Sequence, residues 1–249
     1  MDMYFCPLYS GSSGNALFCQ YGETRLLIDA GKSGKTIEEA LSSIGADIRT
    51  ISGVLITHEH SDHISGAGVL ARKYHLPLYA TRETWWAMKD KIGKIPPDTM
   101  REIEAGKDFW LGDIGVVPFS IPHDAADPVG FRLYGGKMSV ATATDLGVFS
   151  EDVYANVAGS TLVLLESNHD PDMLRTNPKY SAALLRLIGA GTRDVILGHL
   201  SGENNTPTLA RRVSTDTLER EGIRTGEDVR LQVALRDEVG QVYTLKERI

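Results

Sequence analysis

The chain predicts an α/β (α+β) fold in which two sheets pack face to face with helices on their outer sides. Three observations carry that expectation. Apolar runs of strand length are interspersed with amphipathic, helix-length segments in both halves of the 249 residues. Several of those runs end in a histidine or aspartate, as strands do where ligands gather at their ends. Hydrophobic residues make up 42% and charged residues 24%, which supplies both a core and a wetted surface.

In chain order, the opening reads as three short strands over 3–9, 16–21 and 24–29. The polar segment Ser10-Gly11-Ser12-Ser13-Gly14-Asn15 separates the first two, and Gly22-Glu23 makes a tight hairpin between the next two. Over 35–44 the apolar residues Ile37, Ala40, Leu41 and Ile44 recur at helical spacing, and Gly45 supplies a C-terminal stop. A short buried strand over 54–57 follows, then helix over 67–74, strand over 78–80 and helix over 83–89. From 103 to 144 the pattern turns to strands punctuated by Gly106, Gly112, Gly115, Pro118, Pro122 and Gly135. Helices over 150–157, 181–188 and 208–221 then alternate with buried strands over 161–166 and 194–197. Two last strands cover 229–235 and 241–245. No linker or low-complexity tract divides the chain, so one domain over 1–249 is expected.

Composition narrows the class of protein. No stretch approaches the roughly 18 consecutive apolar residues of a membrane span, so no membrane is expected as a partner. The N-terminus lacks a basic region followed by an apolar one, and only two cysteines occur, Cys6 and Cys19. Both features predict a cytoplasmic protein with reduced, inert thiols. The formal charge of −7 does not advertise nucleic-acid binding. Two divalent cations in one cleft would nevertheless bring the net to about −3 and make the cleft itself positive. Net charge therefore does not decide the substrate.

The most telling segment is Thr57-His58-Glu59-His60-Ser61-Asp62-His63, directly after Val54-Leu55-Ile56. Three of the seven histidines in the chain fall within six positions here. Solvated loops have no reason to prefer imidazole, whereas imidazole and carboxylate together suit zinc and its borderline neighbours. The spacing H-x-H-x-D-H makes His58, His60, Asp62 and His63 candidate metal ligands. Further along, His123, Asp145 and His199 follow apolar runs in the same way, and His169 lies shortly after another.

Asp29 at the end of Leu26-Leu27-Ile28, the cluster at His58 to His63, and then His123, Asp145 and His199 resemble the pattern of the metallo-β-lactamase superfamily. The resemblance implies a four-layer αββα sandwich of two mixed sheets and a binuclear site. One divalent cation would take His58, His60 and His123, and the other Asp62, His63 and His199. Asp145 would bridge them, and Asp29 would hold the cluster by hydrogen bonds. Zn2+ or Mn2+ fits such donors, and iron is compatible. Asp145 stands where the commonest true β-lactamases carry cysteine, and the second histidine is not replaced by the glutamate of the diiron flavoproteins. Glyoxalase-type thioester hydrolases share the donor set and are the alternative.

Three segments resemble a narrower bacterial cytoplasmic branch, the YycJ/WalJ group: 10–15, 166–170 and 198–207. That branch implies 5′-to-3′ exonuclease action in DNA repair, with DNA preferred to RNA as partner and protein partners unknown. The chain lacks the inserted domain of the larger nuclease branches. Within this picture Asp62 would ligate and orient the nucleophile, and His169 would clamp a phosphate or protonate the leaving oxygen, or else, as a structural residue, cap the helix starting near Pro171. Ser12, Ser13 and Asn15 belong to a loop that is either a plain flexible turn between strands or a candidate anion nest, and Asn168 and Asn204 are further candidate substrate contacts. Asn204 and Asn205 could instead cap the following helix. For Trp85-Trp86 the expectation is one core ring and one exposed ring. His75, Lys89, Lys91, Lys94, Arg211 and Arg212 read as solvated groups.

Overall fold

The structure, a computed structural model, describes residues 1–167, 178–200 and 206–247. The first half begins as an antiparallel meander, β1 (Met3–Tyr9), β2 (Ala16–Tyr21) and β3 (Thr24–Ile28). It continues through parallel crossovers to β4 (Gly53–Leu55), β5 (Leu78–Thr81) and β6 (Met100–Ile103). The second half repeats the plan. Antiparallel β7 (Phe109–Leu111), β8 (Ile114–Ser120), β9 (Val129–Gly135) and β10 (Met138–Ala143) give way to parallel β11 (Leu162–Glu166), β12 (Asp194–Gly198) and β13 (Arg230–Val233). A last strand, β14 (Tyr243–Leu245), returns to pair with β1. The result is two seven-stranded mixed sheets, ordered β14-β1-β2-β3-β4-β5-β6 and β13-β12-β11-β10-β9-β8-β7.

Side-chain alternation along the strands builds three apolar layers. Leu26 and Ile28 of β3 and Leu55 of β4 meet Val116, Phe131, Val140, Leu162 and Leu164 between the sheets. On the far side of the first sheet, Leu27 and Val54 meet α1 (Gly34–Ser43), α3 (Ala67–Tyr74) and α4 (Arg82–Ile92) through Ile37, Leu41, Leu70 and Met88. On the far side of the second, Val163, Leu165 and Val195 meet α5 (Glu151–Val157), α6 (Pro178–Gly189) and α7 (Pro207–Arg220) through Val153, Leu184, Leu187 and Leu218. Covering both faces explains why the central strands read as unbroken apolar runs. This is the expected four-layer αββα sandwich. No helix among the described residues is long and apolar enough to cross a membrane.

Local signals were sound to within a few residues. Ser33 caps α1 by accepting from the N–H of Thr36 at 3.1 Å, and Gly45 leaves the helix in a left-handed conformation, φ 78°. The cap of α7 is Thr206, whose hydroxyl accepts from Leu209 N–H at 3.2 Å. The capping expected of Asn204 and Asn205, which lie outside the described residues, is thus supplied by their neighbour. The first cluster opens a short helix, α2 (Ser61–Ile64), that periodicity was too brief to reveal. Cys6 and Cys19 lie on paired strands but on opposite faces of the sheet, so no disulfide joins them.

Candidate metal centre

The site forms where carboxyl ends of strands from both sheets open onto one cleft. Asp29 follows β3, Asp145 closely follows β10 and His199 follows β12. All three adopt left-handed backbone, with φ of 62°, 59° and 48°. Among the described residues only one other non-glycine, His75 at the end of α3, does so. Left-handed backbone costs an L-residue roughly 1–2 kcal/mol. Its concentration at three strand ends marks the place where the chain turns sharply off the sheet.

Gly31 completes the approach. A Cβ there would lie 1.7 Å from the carbonyl oxygen of Asp62 and 2.6 Å from Asn15 N. Only glycine lets the 10–15 loop, the end of β3 and α2 converge. Backbone bonds then lock them: Asn15 N–H to Asp62 O at 2.7 Å, Gly31 N–H to Asn15 O at 2.8 Å and Ala30 N–H to His63 O at 2.8 Å.

Seven side chains from the sequence reading come together: His58, His60, Asp62, His63, His123, Asp145 and His199. Donor atoms form three overlapping sets, His58 with His60 and His123, His58 with His63 and Asp145, and Asp62 with His63 and His199. Their separations are informative. His58 Nε2 lies 3.1 Å and His123 Nε2 3.3 Å from His60 Nδ1. His63 Nε2 lies 3.5 Å from both Asp62 Oδ2 and Asp145 Oδ2. His199 Nε2 lies 3.3 Å from Asp145 Oδ1 and 3.8 Å from Asp62 Oδ2. Two ligands on a tetrahedral cation with bonds near 2.1 Å stand about 3.4 Å apart. Asp145 faces His63 with one oxygen and His199 with the other, and it shares a donor set with His58 of the first group as well.

The supporting contacts turn the rings inward. Asp29 is 2% exposed. Its Oδ1 accepts Thr57 N–H at 2.8 Å, and its Oδ2 accepts Thr57 Oγ1–H at 2.9 Å and faces His63 Nδ1 at 2.8 Å. The second ring nitrogen, Nε2, is thereby presented to the cleft. Thr57 Oγ1 also faces His58 Nδ1 at 3.0 Å. Behind His199, Glu166 Oε1 lies 3.7 Å from Nδ1, while its Oε2 accepts the N–H of Leu146, next to Asp145. Glu166 ends an otherwise apolar strand, and that placement is the sequence signal that it serves the site.

Electrostatics and hydrogen bonding agree with a cation-binding centre. Burial, aided by the neighbouring rings of His63, His123 and His60, pushes His58 down to about 2, so its lone pair stays free. Burial alone would strip the proton from His63, but Asp29, Asp145 and Asp62 outweigh it and hold the ring well above its ordinary value. Against a similar burial penalty, Asp62, Glu166 and Asp145 raise His199 to about 9. Burial opposes ionisation of Asp62 and Asp145 too, yet bonds to the histidines hold both carboxyls below the usual range. Asp145 Oδ2 and both ring nitrogens of His199 are buried without a hydrogen-bond partner among the described residues. Fixed carboxylates and unsatisfied nitrogens around one small space are donors suited to a divalent cation.

Other candidates fall into place or outside it. Asn15 is 4% exposed; its Oδ1 accepts Gly11 N–H at 2.9 Å and its Nδ2 reaches His63 Nε2 at 3.1 Å. Ser13 donates to Asp237 at 2.6 Å and accepts from Lys32 at 3.1 Å, and Ser12 is exposed at the turn. Asn168, His169 and Asn204 lie outside the described residues. Of the polar groups near 123–127, only His123 enters the cluster; the Asp127 carbonyl instead receives Thr81 and Thr84. Trp85 is buried and donates to Arg101 O at 3.0 Å, while Trp86 is 69% exposed beneath Lys89. Lys91 is exposed, as expected of the surface cations, and its ammonium also donates to the carbonyl of Glu59 at 3.0 Å.

Sandwich and donor set together define a metal-dependent hydrolase of the metallo-β-lactamase kind. Residues 24–200 match the family described as the beta-lactamase superfamily domain, and the chain belongs to that family. Within it, the chain is 39% identical over 246 residues to exodeoxyribonuclease YycJ of Bacillus anthracis, covering 91% of this chain and 93% of that protein. It is 36% identical over 245 residues to exodeoxyribonuclease WalJ of Streptococcus pneumoniae serotype 2 (strain D39 / NCTC 7466), covering 90% and 91%. The metallo-beta-lactamase fold protein YhfI of Bacillus subtilis superposes with a TM-score of 0.75 over 98% of this chain and 100% of its own, at 16% identity, which shows the shared fold.

Proposed function

We propose that the chain is a binuclear phosphodiesterase, a 5′-to-3′ DNA exonuclease acting in DNA repair in the cytoplasm and folding as one domain over 1–249. The observation that carries the binuclear part is the pair of close donor groups, with separations between 3.1 and 3.8 Å around His60 and around His63 and His199, and with Asp145 grouped with both His58 and His63. The DNA part is supported by the similarity, over most of the chain, to relatives named exodeoxyribonucleases. The cytoplasmic part is supported by two free, buried thiols.

His58, His60 and His123 would hold one cation, and Asp62, His63 and His199 the other, with Asp145 between them. When bound, two such ions (Zn2+ or Mn2+, with iron compatible) supply Lewis-acid charge for a phosphoryl group and acidify a water near neutral pH. The residues do the rest. Asp62, 23% exposed and anchored by Asn15, faces the open side and orients the nucleophile. Asp29 and Glu166 stand behind His63 and His199, keeping the histidine lone pairs aimed at the cleft. Net negative charge elsewhere does not prevent a phosphodiester from entering a cleft made positive locally.

The test is a digestion panel of end-labelled single- and double-stranded DNA and RNA with Zn2+, Mn2+ or Mg2+, using Asp145→Ala as control. Release of mononucleotides from DNA 5′ ends, lost in the variant, is the expected result. A preparation inert to every nucleic acid but active on a glutathione thioester would replace this reading with the glyoxalase-type one.

A further inference from the structure

Between the first two histidines lies a carboxylate for which the chemistry above has no use. Glu59 is 8% exposed. Its Oε1 accepts the backbone N–H of Ala126 at 2.9 Å. Its Oε2 is buried with no hydrogen-bond partner among the described residues. The backbone at the same position accepts from Lys91 at 3.0 Å. A half-satisfied carboxylate in a dry setting is a cost to the fold, and an apolar side chain of equal volume would avoid it. Fold stability therefore does not explain Glu59, and the one bond it makes becomes the point of interest.

Ala126 belongs to the loop between β8 and β9, the loop that carries His123. Both ends of that loop are pinned. Pro122 O accepts Gly147 N–H at 2.7 Å, and Val129 N–H donates to Thr57 O at 3.0 Å. In its middle, Ala125 N–H turns back onto the carbonyl of His123 at 3.0 Å. The bond from Glu59 to Ala126 holds this turn against the very segment that carries His58 and His60. His60 and His123 are the half-buried members of their set, whereas His58 is fully packed. Their mutual position, ring centres 5.0 Å apart, is thus set by the loops rather than by the core.

We propose that Glu59 is a positioning residue: by holding Ala126 it places His123 against His60, and so sets the affinity of the three-histidine set for its cation without acting on the Asp62, His63 and His199 set. The inference rests on the binuclear reading above. Support residues of metal sites commonly contribute 10–100-fold in affinity. The experiment titrates chelator-stripped protein with Zn2+ against a chromophoric competitor, and with Co2+ for its visible spectrum. Glu59→Met keeps the volume without the acceptor; Glu59→Gln keeps the acceptor without the charge.

The expected result for Glu59→Met is one class of site weakened at least tenfold and an altered Co2+ spectrum, with the other class unchanged and the chelated protein melting no lower than the parent. Glu59→Gln is expected to bind both ions as the parent does. In a His123→Ala background, Glu59→Met should cause no further loss. Parental binding by Glu59→Met, equal loss in Glu59→Gln, or a further loss on top of His123→Ala overturns the proposal. A parent that takes up no Zn2+, or a His123→Ala variant that binds as the parent does, removes the binuclear reading itself and this inference with it.

Discussion

Replacing Asp29 separates the two services this residue performs, because asparagine and alanine remove different ones. As a carboxylate, Asp29 can only accept. It takes Thr57 N–H at 2.8 Å and Thr57 Oγ1–H at 2.9 Å, and it obliges His63 Nδ1, at 2.8 Å, to be the donor. The nitrogen of His63 left for a cation is then Nε2, 3.5 Å from Asp62 and Asp145. In Asp29→Asn the amide oxygen can still serve Thr57, but the amide nitrogen presents hydrogens to Nδ1. The ring must answer by moving its proton to Nε2, the atom needed for the cation. Support residues contribute 10–100-fold to metal affinity, about 1.4–2.7 kcal/mol, and an inverted tautomer belongs at the upper end. Asp29→Ala instead leaves the buried Thr57 N–H unpaired, at about 1–3 kcal/mol of fold stability, while His63 keeps a choice of tautomer. Competition titration with Zn2+ and melting in EDTA should therefore rank the variants in opposite orders: asparagine worse for one of the two ions, alanine worse for the fold. Two ions bound with parental affinity by Asp29→Asn would refute the tautomer argument.

How much of this was legible in the sequence follows from what each feature depends on. The donors were legible because metal chemistry constrains residue type: H-x-H-x-D-H has few other uses, and His123, Asp145 and His199 each follow an apolar run. The layers were legible because strands covered on both faces, such as Val163 and Leu165 against Leu162 and Leu164, must be apolar throughout. The supporting groups were not. Glu59 and Glu166 are ordinary acidic residues by composition, and their value lies in a bond to Ala126 and a position behind His199 that only the fold creates. Gly31 is one of 25 glycines, and its necessity arises from Asp62, a residue 31 positions away. The repeated plan of the two halves was hidden as well. It places Asp29 and Asp145, both left-handed, at matching strand ends, yet topology is preserved there without a repeat in residues.

Further outcomes follow from the same contacts. Gly31→Ala should weaken metal uptake and lower stability by about 1–3 kcal/mol, since its methyl would meet the Asp62 carbonyl; parental uptake and melting would show that the loops can part freely. Cys6, whose thiol burial pushes up to about 12, and Cys19, raised further, should resist a thiol reagent until the chain unfolds, and rapid native labelling would contradict that packing. Metal uptake should release protons. His63 and His199 are held above their ordinary 6.5, His199 at about 9, so near neutral pH both carry a proton that a cation must displace. Calorimetry in buffers of different ionisation enthalpy should find about two protons released per chain at neutral pH, with apparent affinity rising as pH rises towards 9. The chelated chain should behave in the opposite sense: raised folded values contribute stability that is complete below about 6.5 and is lost as pH passes through about 9, so its melting temperature in EDTA should fall across that interval. Proton release near zero, with a flat melting profile from 6.5 to 9, would mean that the carboxylates around His63 and His199 do not charge these rings, and the donor geometry would then have to be drawn without them.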